Sequence, residues 1–88
     1  MQVAFSSAFK RAFKKLTRRQ PSLDGAFWAR LEIFIEDPFD PRLRTHKLTG
    51  DLKGLWSFSL RHDQRVVFFF AEKDSAVLLD IGDHDAVY

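Results

Sequence analysis

Cysteine is absent from the 88 residues of this chain. Neither a disulfide nor a thiolate metal site can then support the fold, and the chain fits a reducing compartment. Long apolar runs are missing too. Nothing approaches the roughly 20 consecutive apolar residues that span a bilayer. The opening MQVAFSSAFKRAFKK lacks the uninterrupted apolar stretch of a signal peptide. A cytoplasmic protein with no membrane partner is therefore expected. There is no internal repeat and no low-complexity tract. Acidic residues are absent from positions 1 to 19, which carry Lys10, Arg11, Lys14, Lys15, Arg18 and Arg19.

What is present is a large apolar share, 45%, with ten phenylalanines, enough for one compact core in a single domain over residues 1–88. The net charge of +2 hides an uneven distribution, because the residues after position 19 are net acidic. A second basic stretch, from Arg42 to Arg65, holds Arg42, Arg44, Lys47, Lys53, Arg61 and Arg65 against Asp51 and Asp63. Clustered positive charge attracts phosphate backbones without regard to sequence. For residues 10 to 19 a solvated helix face is an equally good account.

Gln2 to Phe5 reads as a short strand. Ser6 or Ser7 would then cap a helix that carries Ala8, Phe9, Ala12, Phe13 and Leu16 on one face. Pro21 interrupts, and a second helix starts near Ser22 with Leu23, Phe27, Leu31, Phe34 and Ile35 as its apolar stripe. The proline-rich DPFDPR is an extended connector. Two glycines frame a turn in HKLTGDLKG. In Trp56 to Leu60 apolar residues alternate with Ser57 and Ser59, the pattern of a half-buried strand with Trp56 and Phe58 in the core. VVFFF, residues 66–70, has the β-branched and aromatic content of a central strand, and Val77 to Ile81 forms the last. The expected architecture is α+β: two helices on one face of a small, mainly antiparallel sheet, made of a short N-terminal strand and a three-stranded meander. The opposite face would stay partly open to a ligand. The hairpin register, and with it whether Ser57, Ser59 and Arg65 share that face, is not fixed by sequence.

The chain closes on IGDHDAVY, with His84 and Tyr88 four positions apart directly after the last strand. With HKLTGDLKG, WSFSLRHDQRVVFFF and this LLDIGDHDAVY tail in order, the chain resembles the RelE/ParE superfamily of toxins from bacterial type II toxin–antitoxin modules. The resemblance is nearest to RelE/StbE-like and YafQ-like members and covers nearly the whole chain. It implies a RelE-like fold and a ribosome-dependent endoribonuclease that cuts mRNA in the ribosomal A site. It also implies a cognate antitoxin protein as partner and a higher-order toxin–antitoxin complex. The tail histidine and terminal aromatic of YafQ-like toxins fall on His84 and Tyr88, the histidine before the turn on His46, and the strand arginine of RelE-like toxins on Arg65. The chain departs from some RelE-type members, which carry lysines where Ser57 and Ser59 stand. It departs from YafQ-like members, which have an Asp-Trp pair near Gln64-Arg65.

Metal-free RNA cleavage uses the 2′-hydroxyl as internal nucleophile and needs a base, an acid and a cation for the developing charge. His46 and His84 supply the base and acid in either order, since a histidine with a pKa near about 6.5 serves in both forms. Arg65 would hold the scissile phosphate, and Tyr88 would stack on a base or orient the phosphate. Lys47, Lys53 and Arg61 are candidate RNA-backbone contacts. The plainer readings are a surface-loop His46, a turn residue at His84, a core-closing ring at Tyr88, and an Arg65 paired with Asp63 or Asp80. No cofactor is expected. A metal site is disfavoured, because the tail lacks a second histidine at metal-binding spacing and His46, His62 and His84 are scattered. Two other functions compete: a gyrase-poisoning ParE-like toxin, and a catalytically silent relative that only binds its antitoxin.

Overall fold

The computed structural model describes residues 1–83. Strand β1 (Gln2–Phe5) leads into helices α1 (Ser7–Arg19) and α2 (Ser22–Glu36), followed by strands β2 (His46–Lys47), β3 (Trp56–Arg61), β4 (Gln64–Glu72) and β5 (Ser75–Asp83). Single turns of 3-10 helix at Pro41–Leu43 and Gly50–Leu52 flank β2. No helix among the described residues is long and apolar enough to cross a membrane.

Local chemistry sets the helix ends. Ser6 is extended, and its hydroxyl accepts from the Phe9 N–H at 3.0 Å, which makes it the N-cap of α1. Arg18 and Arg19 lie in the last turn, where the helix dipole favours positive charge. Only Gln20 and Pro21 separate the helices. Pro21 already has helical φ, −57°, and leads directly into α2.

The strands form one sheet in the order β1-β5-β4-β3-β2. β1 runs parallel to β5 and the other pairs are antiparallel. The expected two-layer α+β fold is therefore present, with VVFFF in the central strand. Two strand pairings go beyond what the sequence showed. β1 returns beside the last strand, a contact between chain segments some seventy residues apart (Gln2 opposite Ser75). β2 forms within the HKLTGDLKG segment, where the sequence indicates only a turn. The turn after it uses Gly50 and Gly54 at φ of 67° and 90°, which glycine adopts without strain.

Register places Trp56 opposite Phe68 and Phe58 opposite Val66, so the large apolar residues of β3 and β4 share the helix-side face. Phe34 of α2 meets them, with ring centroids 4.8 Å from Phe58 and 4.9 Å from Phe68. A second ring cluster joins Phe5, Phe9, Phe13 and Phe27 between β1 and the two helices. Two core expectations need correction. Ile35 is 38% exposed, because it lies about 100° around the helix from buried Phe34. Trp56 is only half-buried, and its ring packs against exposed Phe39 and half-buried Phe70 at the margin of the core. Ser57, between Trp56 and Phe58, is fully buried although it faces away from the helices.

Since Phe34 is fully buried among aromatic neighbours, truncation leaves a cavity that the rings cannot refill. Phe34→Ala is expected to lower unfolding free energy by about 3–5 kcal/mol, a large fraction of the roughly 5–15 kcal/mol of a small domain. Urea titration checks this, and a loss below about 1 kcal/mol would contradict the packing described.

Candidate functional site

The sheet face away from the helices gathers the polar candidates. His46 pairs with Ser57, Ser57 with Val67, and Val67 with Asp80, so these four residues form one row across β2, β3, β4 and β5. Arg65 lies two residues from Val67 along β4 and pairs with Ser59 on one side and Gly82 on the other. Directly paired residues project to the same face, so Ser57, Ser59 and Arg65 share a surface with His46. Strand spacings place the α-carbons of His46 and Arg65 about 12 Å apart. Gly82 beside Arg65 has no side chain to crowd it.

His46 is positioned by the connector before it. Asp37 accepts from the Phe39 N–H at 2.9 Å. Asp40 caps the 3-10 turn by accepting from the Arg42 N–H at 2.9 Å, with Pro41 supplying its fixed φ. The Arg42 side chain grips the same carboxylate through Nε at 3.0 Å and Nη2 at 2.9 Å. That guanidinium and the backbone N–H hold the Asp40 carboxyl down at about 2. Arg44 then turns left-handed, φ 52°, and the Thr45 hydroxyl closes the loop on the Pro38 carbonyl. This regular, capped turn replaces the extended stretch expected of DPFDPR.

The left-handed turn aims the Arg44 carbonyl at His46 Nδ1, 3.0 Å away. A carbonyl only accepts, so Nδ1 must carry the proton. In the neutral ring the lone pair is then on Nε2, the atom free to take a proton from a substrate. His46 is exposed and lines a cleft of about 300 Å³ with Lys47, Leu48, Thr49 and Leu52.

Arg65 donates through Nη1 to the His62 carbonyl at 2.7 Å and to the Gln64 carbonyl at 3.1 Å. Nε and Nη2 have no partner among the described residues. Neither Asp63 nor Asp80 pairs with it: the single ion pair among the described residues is Arg42–Asp40. The other candidates divide. Lys47 points to the helix side, its Nζ 5.5 Å over the Trp56 ring. Lys53 is exposed. A register slip between Ser59 and Arg61 re-aims Arg61, whose Nη2 donates to the Ser22 carbonyl at 2.9 Å and ties β3 to the start of α2. His62 is exposed in the β3–β4 turn. The basic residues 10 to 19 are exposed on α1, in the layer away from the His46 face. His84 and Tyr88 lie outside the described residues, which end at Asp83, paired with Gln64 next to Arg65. No group of three histidine or acidic side chains able to hold a metal occurs among the described residues. Sequence reading passed over Arg44, whose backbone orients His46. Asp40-Pro41 signalled a turn, but nothing in an arginine signals a left-handed conformation.

This fold has counterparts among known proteins. A family model described as the bacterial toxin of type II toxin-antitoxin system, YafQ, matches residues 1–88. No curated protein sequence matches. Among solved structures, YafQ from E. coli is 15% identical with TM-score 0.82, covering 99% of this chain and 97% of that one. The E. coli DinJ-YafQ complex gives 15% identity and TM-score 0.79, with the same coverage. A metal-bound toxin from Helicobacter pylori is 21% identical with TM-score 0.77, covering 100% of this chain and 99% of that one. At these identities the structures establish the shared fold.

The hydrogen bond to the Arg44 carbonyl makes a specific statement about His46. Its neutral ring is expected as the Nδ1–H tautomer, the minor one for a free histidine. Long-range nitrogen–proton NMR correlations of the neutral ring will show a protonated Nδ1; a protonated Nε2 would contradict the geometry.

Proposed function

The chain belongs to the YafQ family of toxins of bacterial type II toxin–antitoxin systems, and we propose that it is a ribosome-dependent endoribonuclease. In this reading the 1–88 domain acts in the cytoplasm, cuts mRNA in the ribosomal A site by metal-free attack of the 2′-hydroxyl, and is held silent by a cognate antitoxin. The observation that carries it is His46, its Nε2 left available by the Nδ1 contact, on one sheet face with Arg65.

The chemistry follows from those groups. His46 Nε2 takes the 2′-proton as the 2′-oxygen bonds to phosphorus. Arg65 turns its unengaged Nε and Nη2 to the phosphoryl oxygens, where negative charge grows in the transition state. The bond from phosphorus to the 5′-oxygen breaks, and that oxygen takes a proton from His84. The upstream fragment ends in a 2′,3′-cyclic phosphate and the downstream one in a 5′-hydroxyl. Tyr88 stacks on a splayed base. Lys47, Lys53 and Arg61 meet backbone phosphates with the donors their internal contacts leave over. The E. coli toxin of similar fold is found in complex with DinJ, which supports an antitoxin partner here and, with it, a higher-order complex. Gyrase poisoning would have no use for a histidine with a fixed tautomer on one sheet face with an arginine.

Adding purified protein to a translating extract with end-labelled message tests this reading. Cuts at discrete codons are expected. His46→Ala should lower the single-turnover rate by about 10²–10⁴-fold, the usual loss of a general acid or base. Arg65→Ala should lose about 10²–10³-fold, as for one transition-state donor. Wild-type cleavage by His46→Ala would sink the assignment, and an intact message with growth arrest would point to a protein target.

A further inference from the structure

Beside β3 lies a second cleft, of about 240 Å³, which shares no lining residue with the one that His46 lines. Arg30 from α2, Arg42 and Arg44 from the connector, and Arg61 from the end of β3 all line it, with Ser59 and His62. We propose that this cleft binds a phosphate of the single-stranded RNA next to the one that is cut. The proposal rests on the RNA-cleaving reading above and extends it to a separate subsite.

Charge is the first argument. Among the described residues no carboxylate lines the cleft, and the one acid close to its arginines is Asp40, which pairs with Arg42 and also feels the charge of Arg30. Three guanidinium charges are left to repel one another across a small volume, which an anion placed between them relieves.

Preorganisation is the second. Arg42 is fixed by Asp40. Arg30 is fixed through Nη1, which donates to the Arg42 carbonyl at 3.0 Å, and Arg61 through Nη2 on Ser22. Each contact removes rotamer freedom that binding would otherwise have to remove, while leaving other donors of the planar fork unused. Several part-anchored guanidinium groups without an aromatic face suit phosphate oxygens and not a base.

Connectivity is the third. Arg44 lines the cleft, and its carbonyl holds His46 Nδ1. Its left-handed backbone, φ 52°, a conformation disfavoured for a non-glycine residue, joins the two. Ser59, also lining the cleft, is the register partner of Arg65. A strand whose scissile phosphate lies between His46 and Arg65 thus passes this edge of β3, and a neighbouring phosphate falls at the cleft.

The test measures binding apart from cleavage. A fluorescent eight-nucleotide 2′-O-methyl RNA has no attacking hydroxyl, so its affinity can be followed by anisotropy over a salt series. Arg44→Ala and Arg30→Gln are expected to weaken binding about 5–10-fold at low salt. Removing one arginine–phosphate pairing should flatten the slope of log K against log salt by about 0.7. Arg44→Lys should recover part of the affinity, and Lys14→Ala on α1 should change neither quantity. Unchanged affinity and slope in both arginine variants would overturn the cleft while leaving the RNA reading intact. An equal loss in Lys14→Ala would also overturn it, showing only diffuse charge attraction. No salt-dependent binding by wild type would remove the RNA reading with it. If Arg44→Ala kept RNA affinity but lost antitoxin binding, the cleft would be a polypeptide site and the proposal wrong.

Discussion

The register of the antiparallel ladder through β3, β4 and β5 is the constraint on which the rest of the molecule depends. Side chains alternate across a strand, so a slip of one residue exchanges the two faces completely. In the observed register Phe58, Val66 and Phe68 lie under the helices, while Ser57, Ser59 and Arg65 lie on the other side. A slip would carry Arg65 beneath Phe34 and expose two phenylalanines. Burial of a large aromatic side chain is worth about 1.5–3 kcal/mol, and an unpaired guanidinium in the core would cost several more. The packing of the core is thus what holds the polar face in place.

The ladder alone does not make a site, because β2 is only two residues long and has little intrinsic hold on its position. Short-range polar contacts supply that hold: Asp37 and Asp40 each bind a backbone N–H two residues on, and Arg42 clasps Asp40. An exposed ion pair adds little to global stability. Its consequence here is local. It fixes the turn that leads to Arg44, and Arg44 fixes the tautomer of His46. The same connector touches two unlike surfaces, the sheet face that holds His46 and the arginine-lined cleft at the edge of β3.

Much of this is legible in the sequence wherever a local rule governs. A serine cap at Ser6 or Ser7, the apolar periods of both helices, the Asp37-Pro38 stop and the three meander strands all follow from capping and periodicity. The parallel pairing of β1 with β5 does not, since it joins residues at opposite ends of the chain and no local pattern encodes it. Nor does β2, whose two residues carry no periodic signal. Ile35 misleads because an apolar residue at the margin of a stripe reads like one at its centre. For the site, the resemblance supplies the residues and the structure supplies their register. His46 and Arg65 come to one face, whereas Arg61 and Lys47 are engaged with Ser22 and Trp56. The arginine cleft could not be read from spacing, because its members come from a helix, a connector and a strand end.

The central claim is that this sheet face positions groups for transesterification by the RNA's own 2′-hydroxyl. The chemistry of the cut ends tests it most directly. Message cleaved in a translating extract by EDTA-treated protein would be analysed for its terminal groups. The account predicts a 2′,3′-cyclic phosphate upstream and a 5′-hydroxyl downstream. A 3′-hydroxyl with a 5′-phosphate would contradict it, because water and not the ribose would then be the nucleophile.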